Sequence, residues 1–193
     1  MTEKEKMLAG ELYVSTGEEL MNDRINAKKL CHIYNSLEPD NYEERKNILL
    51  KLLGKTKGAF LIEPNFWCDY GYNIEIGENF YSNHNLVILD PAKVTFGDNV
   101  FIAPNCGFYT AGHPVDVQKR NNSLEYAYPI TVGNNVWIGG NVVVLPGVTV
   151  GDNVVIGAGS VVTKNIPSNV VAVGNPCRVL REITDETSHS QRG

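Results

Sequence analysis

From about residue 60 onward, the apolar residues of this chain recur every six positions. Val132, Ile138, Val144, Val150, Ile156 and Val162 stand six apart without a miss. A second column two residues earlier runs Ile130, Val136, Val142, Val148 and Val154, then Ser160 and Ile166. Upstream the same beat appears at Ile76, Ser82 and Ile88, and again at Phe96, Ile102 and Phe108, with a gap of eight between the two sets. A helix repeats every 3.6 residues and a half-buried strand every two, whereas six is the period of a β-solenoid. Each hexad supplies a short strand and a bend, and three hexads close a triangular coil. Coils stack at the ~4.8 Å spacing of hydrogen-bonded strands, with the apolar column inside the tube. A β-sandwich would instead show period two with irregular turns. The bends carry Gly77-Glu78-Asn79, Gly97-Asp98-Asn99, Gly133-Asn134-Asn135 and Gly151-Asp152-Asn153. Glycine and asparagine adopt left-handed dihedrals most cheaply, which suits such corners.

Residues 1–57 have a different texture and read as helical. Met7, Leu8 and Leu12 fall on one side of a short first segment. Leu20, Met21, Ile25, Leu30, Ile33 and Tyr34 recur at helical spacing between Glu18 and Leu37. Asp40 with Glu43 suits a capping box for a third helix, whose stripe is Ile48, Leu49, Leu52 and Leu53 and whose stop is Gly54. The chain therefore divides into a helical segment 1–57, a solenoid 58–183 and a polar tail 184–193.

Composition narrows the function. The net charge of −5 argues against a nucleic-acid footprint, while a local basic patch still suits a phosphorylated cofactor. No apolar run approaches the ~20 residues that span a bilayer, and the charged opening MTEKEKMLAGELY has no signal core, so a cytoplasmic protein is expected. Cys31, Cys68, Cys106 and Cys177 are widely spaced with no C-x-x-C pair, which reads as free thiols in a reducing compartment.

The solenoid beat breaks once, at YTAGHPVDVQKRNNSLEYAYP, residues 109–129. A polar excursion of this length from a compact solenoid points to function. Pro114 biases His113 toward an extended backbone, and imidazole titrates near neutrality, where it can take a proton from an alcohol. On residues alone His113 is either a base or a solvated loop histidine. His32 in a predicted helix and His189 in the tail read as solvated, and His84 as a surface or packing residue.

The hexads, together with YTAGHPVD, PITVGNNVWIGGNVVVLPGVTVGDNVVIGAGSVVTKNIP, VAVGNPCRV, KEKMLAGELY and CDYGYNIEIGENFYSN, resemble the maltose and galactoside O-acetyltransferases among the hexapeptide-repeat acyltransferases. The resemblance spans nearly the whole chain and is nearest the maltose type at AGELY and CDYGYN. It implies a mainly β fold, a left-handed parallel β-helix, against the usual right-handed crossover rule. It also implies a homotrimer and acetyl transfer from acetyl-CoA to a sugar hydroxyl, with no metal. His113 matches the family's base. Asn83 matches the asparagine that supports the tetrahedral intermediate, though an asparagine ladder along the coil is an equal reading of the residue itself. By the residues themselves, Glu125 reads either as the partner that fixes the imidazole tautomer or as a solvated loop carboxylate. Ser15, Asp69, Asn83 and Asp90 match acceptor positions, but galactoside enzymes carry acidic residues where this chain has Ser15 and Pro91. Trp137, Gly139, Gly140, Ala158, Gly159, Thr163, Lys164, Arg178 and Arg181 match coenzyme A positions. The small residues leave room for the pantetheine arm, and the three basic ones meet phosphates.

Three other functions compete. The same fold can acetylate a different hydroxyl, such as that of an antibiotic or serine. A γ-type carbonic anhydrase needs three zinc-binding histidines, and the coil region holds His84 and His113 alone. A non-catalytic scaffold needs neither the His-Pro excursion nor the basic residues after the last coils.

Overall fold

The computed structural model describes residues 1–184, so all but the first residue of the tail, including His189, lies outside the described residues. The hexads form the three sides of a prism, each a stack of parallel strands in register. Face one stacks Lys55–Thr56, Ile74–Ile76, Val94–Phe96, Ile130–Val132 and Thr149–Val150. Face two stacks Phe60–Ile62, Phe80–Ser82, Val100–Ile102, Val136–Ile138, Val154–Ile156 and Val170–Val173, and ends on an antiparallel strand, Arg178–Glu182. Face three stacks Phe66–Cys68, Leu86–Leu89, Gly107–Tyr109, Val143–Val144 and Val161–Val162. Each coil visits faces one, two and three in turn.

Both hexad columns point into the tube and are buried from end to end. The polar members are satisfied locally. Ser160 donates to the Gly157 carbonyl at 2.6 Å and accepts from the Gly174 N–H at 3.0 Å, and Ser82 donates to the Asn83 carbonyl at 3.0 Å. Phe80, Phe96 and Phe108, one from each face, pack with ring centroids 5.1 and 4.9 Å apart. The gap of eight between Ile88 and Phe96 holds the corner Asp90 to Lys93.

The corners divide their chemistry between two residue types. Asn79, Asn99, Asn135 and Asn153 carry the positive φ, at 52–57°. Their side chains also form a ladder, Asn79 to Asn99 at 2.9 Å and Asn99 to Asn135 at 3.2 Å. The glycines two residues before them do not adopt left-handed dihedrals, contrary to the expectation above. They are needed because coils touch there: a Cβ on Gly77 would lie 2.2 Å from the Gly97 carbonyl oxygen, and one on Gly133 2.4 Å from Asp152 Oδ1.

Of the N-terminal helices α1 (Glu3–Leu8), α2 (Glu18–Ser36) and α3 (Tyr42–Leu52), α2 and α3 close one end of the tube, while Met7 of α1 packs in a smaller cluster with Tyr13, Leu20, Tyr70, Ala92 and Ala127. Leu20, Ala27, Cys31 and Tyr34 form the buried side of α2 and Leu30 packs against the core, whereas Met21, Ile25 and Ile33 are exposed, so half of the expected stripe faces inward and half faces out. In α1 Met7 is buried, but Leu8, and Leu12 beyond the helix, are exposed. The expected Asp40–Glu43 capping box is absent. Helix α3 starts after Asn41, which makes no side-chain cap, while Thr2 and Glu5 form a capping box on α1. Ile48, Leu49, Leu52 and Leu53 share one core with the coil residues, which shields the first coil from water.

Residues 109–129 are not a bare loop. Ala111–Gly112 pairs antiparallel with Leu124–Ala127, and a short helix, α4 (Val117–Asn121), crosses the tip, capped by Asp116. Leu124–Ala127 pairs in turn with Tyr13–Val14. The excursion thus returns to the helical segment and forms a three-stranded sheet with it.

Candidate active site

This small sheet gathers the polar residues. Its register sets Tyr13 opposite Glu125, Ala111 opposite Ala127 and Gly112 opposite Tyr126. Extended by one step beyond Gly112, that register would bring His113 opposite Glu125. The Glu125 carboxylate accepts from Tyr13 O–H at 2.9 Å through one oxygen and from Ser15 Oγ–H at 2.8 Å through the other. These two hydroxyls, rather than the imidazole, are its hydrogen-bond donors. His113 is exposed and makes no hydrogen bond among the described residues, which leaves both ring nitrogens open to a bound molecule.

Arg24, on α2, extends the cluster. One guanidinium nitrogen donates to Tyr70 O–H at 2.7 Å, and the other to the Ser15 carbonyl at 2.6 Å. Asp69 stands next to Tyr70 at the corner after Phe66–Cys68. Burial raises its carboxyl above the usual range, with Arg24 and Lys28 opposing that rise. Burial likewise raises the Tyr70 phenol to about 12. Tyr13, Arg24 and Tyr70 escaped the sequence reading. Arg24 lies in an unremarked polar stretch of α2, and nothing in its spacing announces a partner 46 residues away.

Asp90, expected at the acceptor site, is enclosed at the same corner. It has no exposed surface, and its Oδ1 accepts from the N–H groups of Asp69 at 3.0 Å and Tyr70 at 2.8 Å. It therefore holds the corner that presents Asp69. Its Oδ2 has no partner, and burial pushes its carboxyl up to about 7.

Asn83 lies at a different corner, between faces two and three. Its Oδ1 accepts from the His84 N–H at 2.7 Å, which leaves Nδ2 without a partner. It takes no part in the asparagine ladder at this corner, which runs from Asn85 to Asn105 at 2.9 Å. Gly139, Gly140, Ala158 and Gly159 stack along that corner, with Gly159 N–H donating to the Gly140 carbonyl at 2.8 Å. Their roles separate. A Cβ on Gly139 would lie 2.6 Å from the Ala158 nitrogen, so stacking alone demands glycine. Gly159, at φ +72°, takes the left-handed place that Asn85, Asn105 and Asn141 occupy in other coils, and it opens to empty space. At Gly140 a Cβ would have 3.4 Å to the Pro104 carbonyl.

Trp137 stands outward on face two, 57% exposed, in one register row with Val155, Val171 and Arg181. Arg178 is opposite Val173, two steps along and past an irregularity in the register. Thr163 and Lys164 follow Val161–Val162 at the corner between faces three and one, the edge from which the His113 excursion leaves. Ser15, Asp69, Glu125 and His113 thus gather on one edge of face three, and Asn83 with the small residues lies on the other. Among the described residues, no group of three His, Cys, Asp or Glu is close enough to hold a metal ion.

Comparison with known proteins gives this arrangement a family. The maltose acetyltransferase hexapeptide capping motif matches residues 6–58, and the bacterial transferase hexapeptide motif, six repeats, matches residues 129–164. The galactoside O-acetyltransferase of Escherichia coli is 48% identical over 185 residues, covering 96% of this chain and 91% of that one. The crystal structure of a maltose O-acetyltransferase from Clostridium difficile matches with a TM-score of 0.95 at 54% identity, covering 96% of this chain and 99% of that one. A galactoside acetyltransferase in complex with coenzyme A matches with a TM-score of 0.96 at 47% identity, covering 100% and 96%. A tube of parallel coils closed by a helical cap, with one histidine-bearing excursion folded back on the N-terminal segment, therefore belongs to the maltose and galactoside O-acetyltransferase family of hexapeptide-repeat acetyltransferases.

Proposed function

We propose that this enzyme moves the acetyl group of acetyl-CoA onto a hydroxyl of a glucose- or maltose-like sugar, with His113 as general base in a direct transfer. The observation that carries the reading is the position of His113. It is exposed and without an internal partner, one register step from a carboxylate that is itself held by Tyr13 and Ser15. His113 takes the proton of the attacking hydroxyl as its oxygen bonds to the thioester carbonyl carbon. The oxyanion that forms accepts from Asn83 Nδ2–H, the donor left unused in the chain. When the C–S bond breaks, the imidazolium returns its proton to the departing thiolate. Glu125 stabilises the imidazolium across the strand pair. Ser15 and Asp69 offer directional partners to sugar hydroxyls.

Coenzyme A lies along Trp137, Gly140, Ala158 and Gly159, with Thr163, Lys164, Arg178 and Arg181 meeting its polar and phosphate groups. The unobstructed side of Gly159 fits an arm lying against backbone. Asn83 and His113 sit at opposite edges of face three, which favours a site shared between copies. The outward rows support a homotrimer. Leu61, Tyr81, Phe101, Trp137, Val155 and Val171 run along face two, and Trp67, Val87, Gly107, Val143 and Val161 along face three. Face one presents Lys55, Glu75, Thr95, Thr131 and Thr149 instead and suits water. Four cysteines with no disulfide, together with the absence of any long apolar helix among the described residues, fit a cytoplasmic enzyme.

A maltose-type acceptor is favoured by Ser15 and Pro91, which replace acidic residues of the galactoside enzymes. A galactoside is the second reading, on the 48% identity with the Escherichia coli enzyme. The test is thiol release from acetyl-CoA with maltose, glucose or a galactoside as acceptor. The proposal expects release with the first two, and His113→Ala to lose at least ~10²-fold of the rate. A galactoside preference would move the acceptor, and full activity in the variant would remove the base assignment.

A further inference from the structure

Two of the four cysteines, far apart in sequence, meet inside the protein. Cys31 Sγ on α2 lies 3.8 Å from Cys68 Sγ on the first face-three strand, across 37 residues of chain. Both thiols are buried, at 0% and 4% exposure. The contact spans the seam where the helical cap meets the coil, beside the corner that carries Asp69 and Tyr70. Cys106 and Cys177 are different: Cys106 S–H donates to the Gly139 carbonyl at 3.2 Å, and neither has a second sulfur beside it. The acetyl-transfer reading gives the Cys31–Cys68 pair no task.

We propose that Cys31 and Cys68 form an oxidation site, a cap-to-coil cross-link that closes when the protein meets a peroxide and reopens with a thiol reductant. Sulfurs at van der Waals contact need to approach by roughly 1.8 Å to reach bonding distance, a movement within reach of one helix seated on a coil. The two thiols are not equivalent. Either thiol can donate across the contact; with Cys68 S–H as the donor, the bond lowers the Cys31 thiol, and the same bond together with burial raises Cys68. Cys31 is therefore the attacking sulfur and Cys68 the resolving one. The Cys31 thiolate displaces hydroxide from hydrogen peroxide and becomes a sulfenic acid. The Cys68 sulfur then attacks that sulfur and forms the S–S bond as water leaves. Two thiols and one peroxide give one disulfide and two waters. The carboxylates facing the pair, Asp90 and Asp69, disfavour thiolate at Cys68, and burial limits access, so the reaction is slow in the resting fold.

The experiment uses the full-length protein, treated with hydrogen peroxide, blocked with an alkylating agent, and digested without reductant for mass spectrometry. The expected product is one linked peptide pair containing Cys31 and Cys68, reversed by dithiothreitol. Closing a loop of this length is expected to raise the melting midpoint by roughly 5–10 °C. Cys31→Ser and Cys68→Ser each abolish both effects, and a Cys106→Ser/Cys177→Ser protein retains them. Two results overturn the proposal. One is peroxide oxidation that appears at Cys106, at Cys177 or between chains with no Cys31–Cys68 peptide. The other is alkylation of all four thiols after peroxide exposure close to the melting midpoint.

Discussion

Asp90 makes stability fall as pH rises, the reverse of the usual carboxylate. A buried carboxyl raised from 3.8 to about 7 holds its proton in the folded chain where the unfolded chain has lost it. Below about pH 4 both states are protonated and burial carries no ionic penalty. Between about 4 and 7 the folded state binds the extra proton, so unfolding becomes easier with each rise in pH. Above about 7 both states are ionised and the full penalty, about 4 kcal/mol, is present. Asp90→Asn keeps a carbonyl oxygen for the N–H groups of Asp69 and Tyr70 and removes the titration. Urea unfolding of both proteins at fixed concentration, near pH 5 and near pH 8, isolates this group. The wild type should lose about 2–3 kcal/mol more than the variant across that interval. A variant whose stability falls with pH as steeply as the wild type would refute the burial argument.

Other consequences are as specific. Gly77→Ala drives a methyl into the Gly97 carbonyl and should cost roughly 2–4 kcal/mol in unfolding free energy. Gly140→Ala, with 3.4 Å to its nearest neighbour, should unfold within about 1 kcal/mol of wild type while raising KM for acetyl-CoA. If calorimetry shows the two variants equally destabilised, the coil-contact account fails. Glu125→Gln should lower kcat by about tenfold or more with little change in KM for acetyl-CoA. An unchanged kcat would confine Glu125 to bracing Tyr13 and Ser15. Arg181→Ala should weaken acetyl-CoA binding and make it less sensitive to salt, measured by titration calorimetry, and unaltered binding would remove it from the phosphate site.

The tube was legible because a period of six has few physical solutions, and both columns read from the sequence are buried where expected. Local corner chemistry was half legible. Asparagine is visible as a left-handed residue, but the glycine requirement at Gly77 comes from the next coil, twenty positions away, which no local rule contains. Half of the α2 stripe was misplaced because Ala27 and Cys31 are weakly apolar by composition, and the more apolar Ile25 and Ile33 face outward, while Leu20, Leu30 and Tyr34 pack inward as read. Asp90 matches an acceptor position by resemblance, and its place at a corner does not reveal that the side chain is buried. Arg24 was invisible for a related reason: its partners, Ser15 and Tyr70, belong to segments that only the folded cap brings together.

The central claim is a single-step transfer in which the acceptor hydroxyl gives its proton to His113 as it attacks the thioester. The most direct measurement mixes enzyme with acetyl-CoA under single-turnover conditions, with and without sugar, and follows both released thiol and the intact mass of the protein. The account predicts thiol release only when sugar is present, no acetyl group on the enzyme at any time, and loss of the sugar-dependent release in His113→Ala. An acetylated enzyme formed before sugar is added, or undiminished release in His113→Ala, would contradict it.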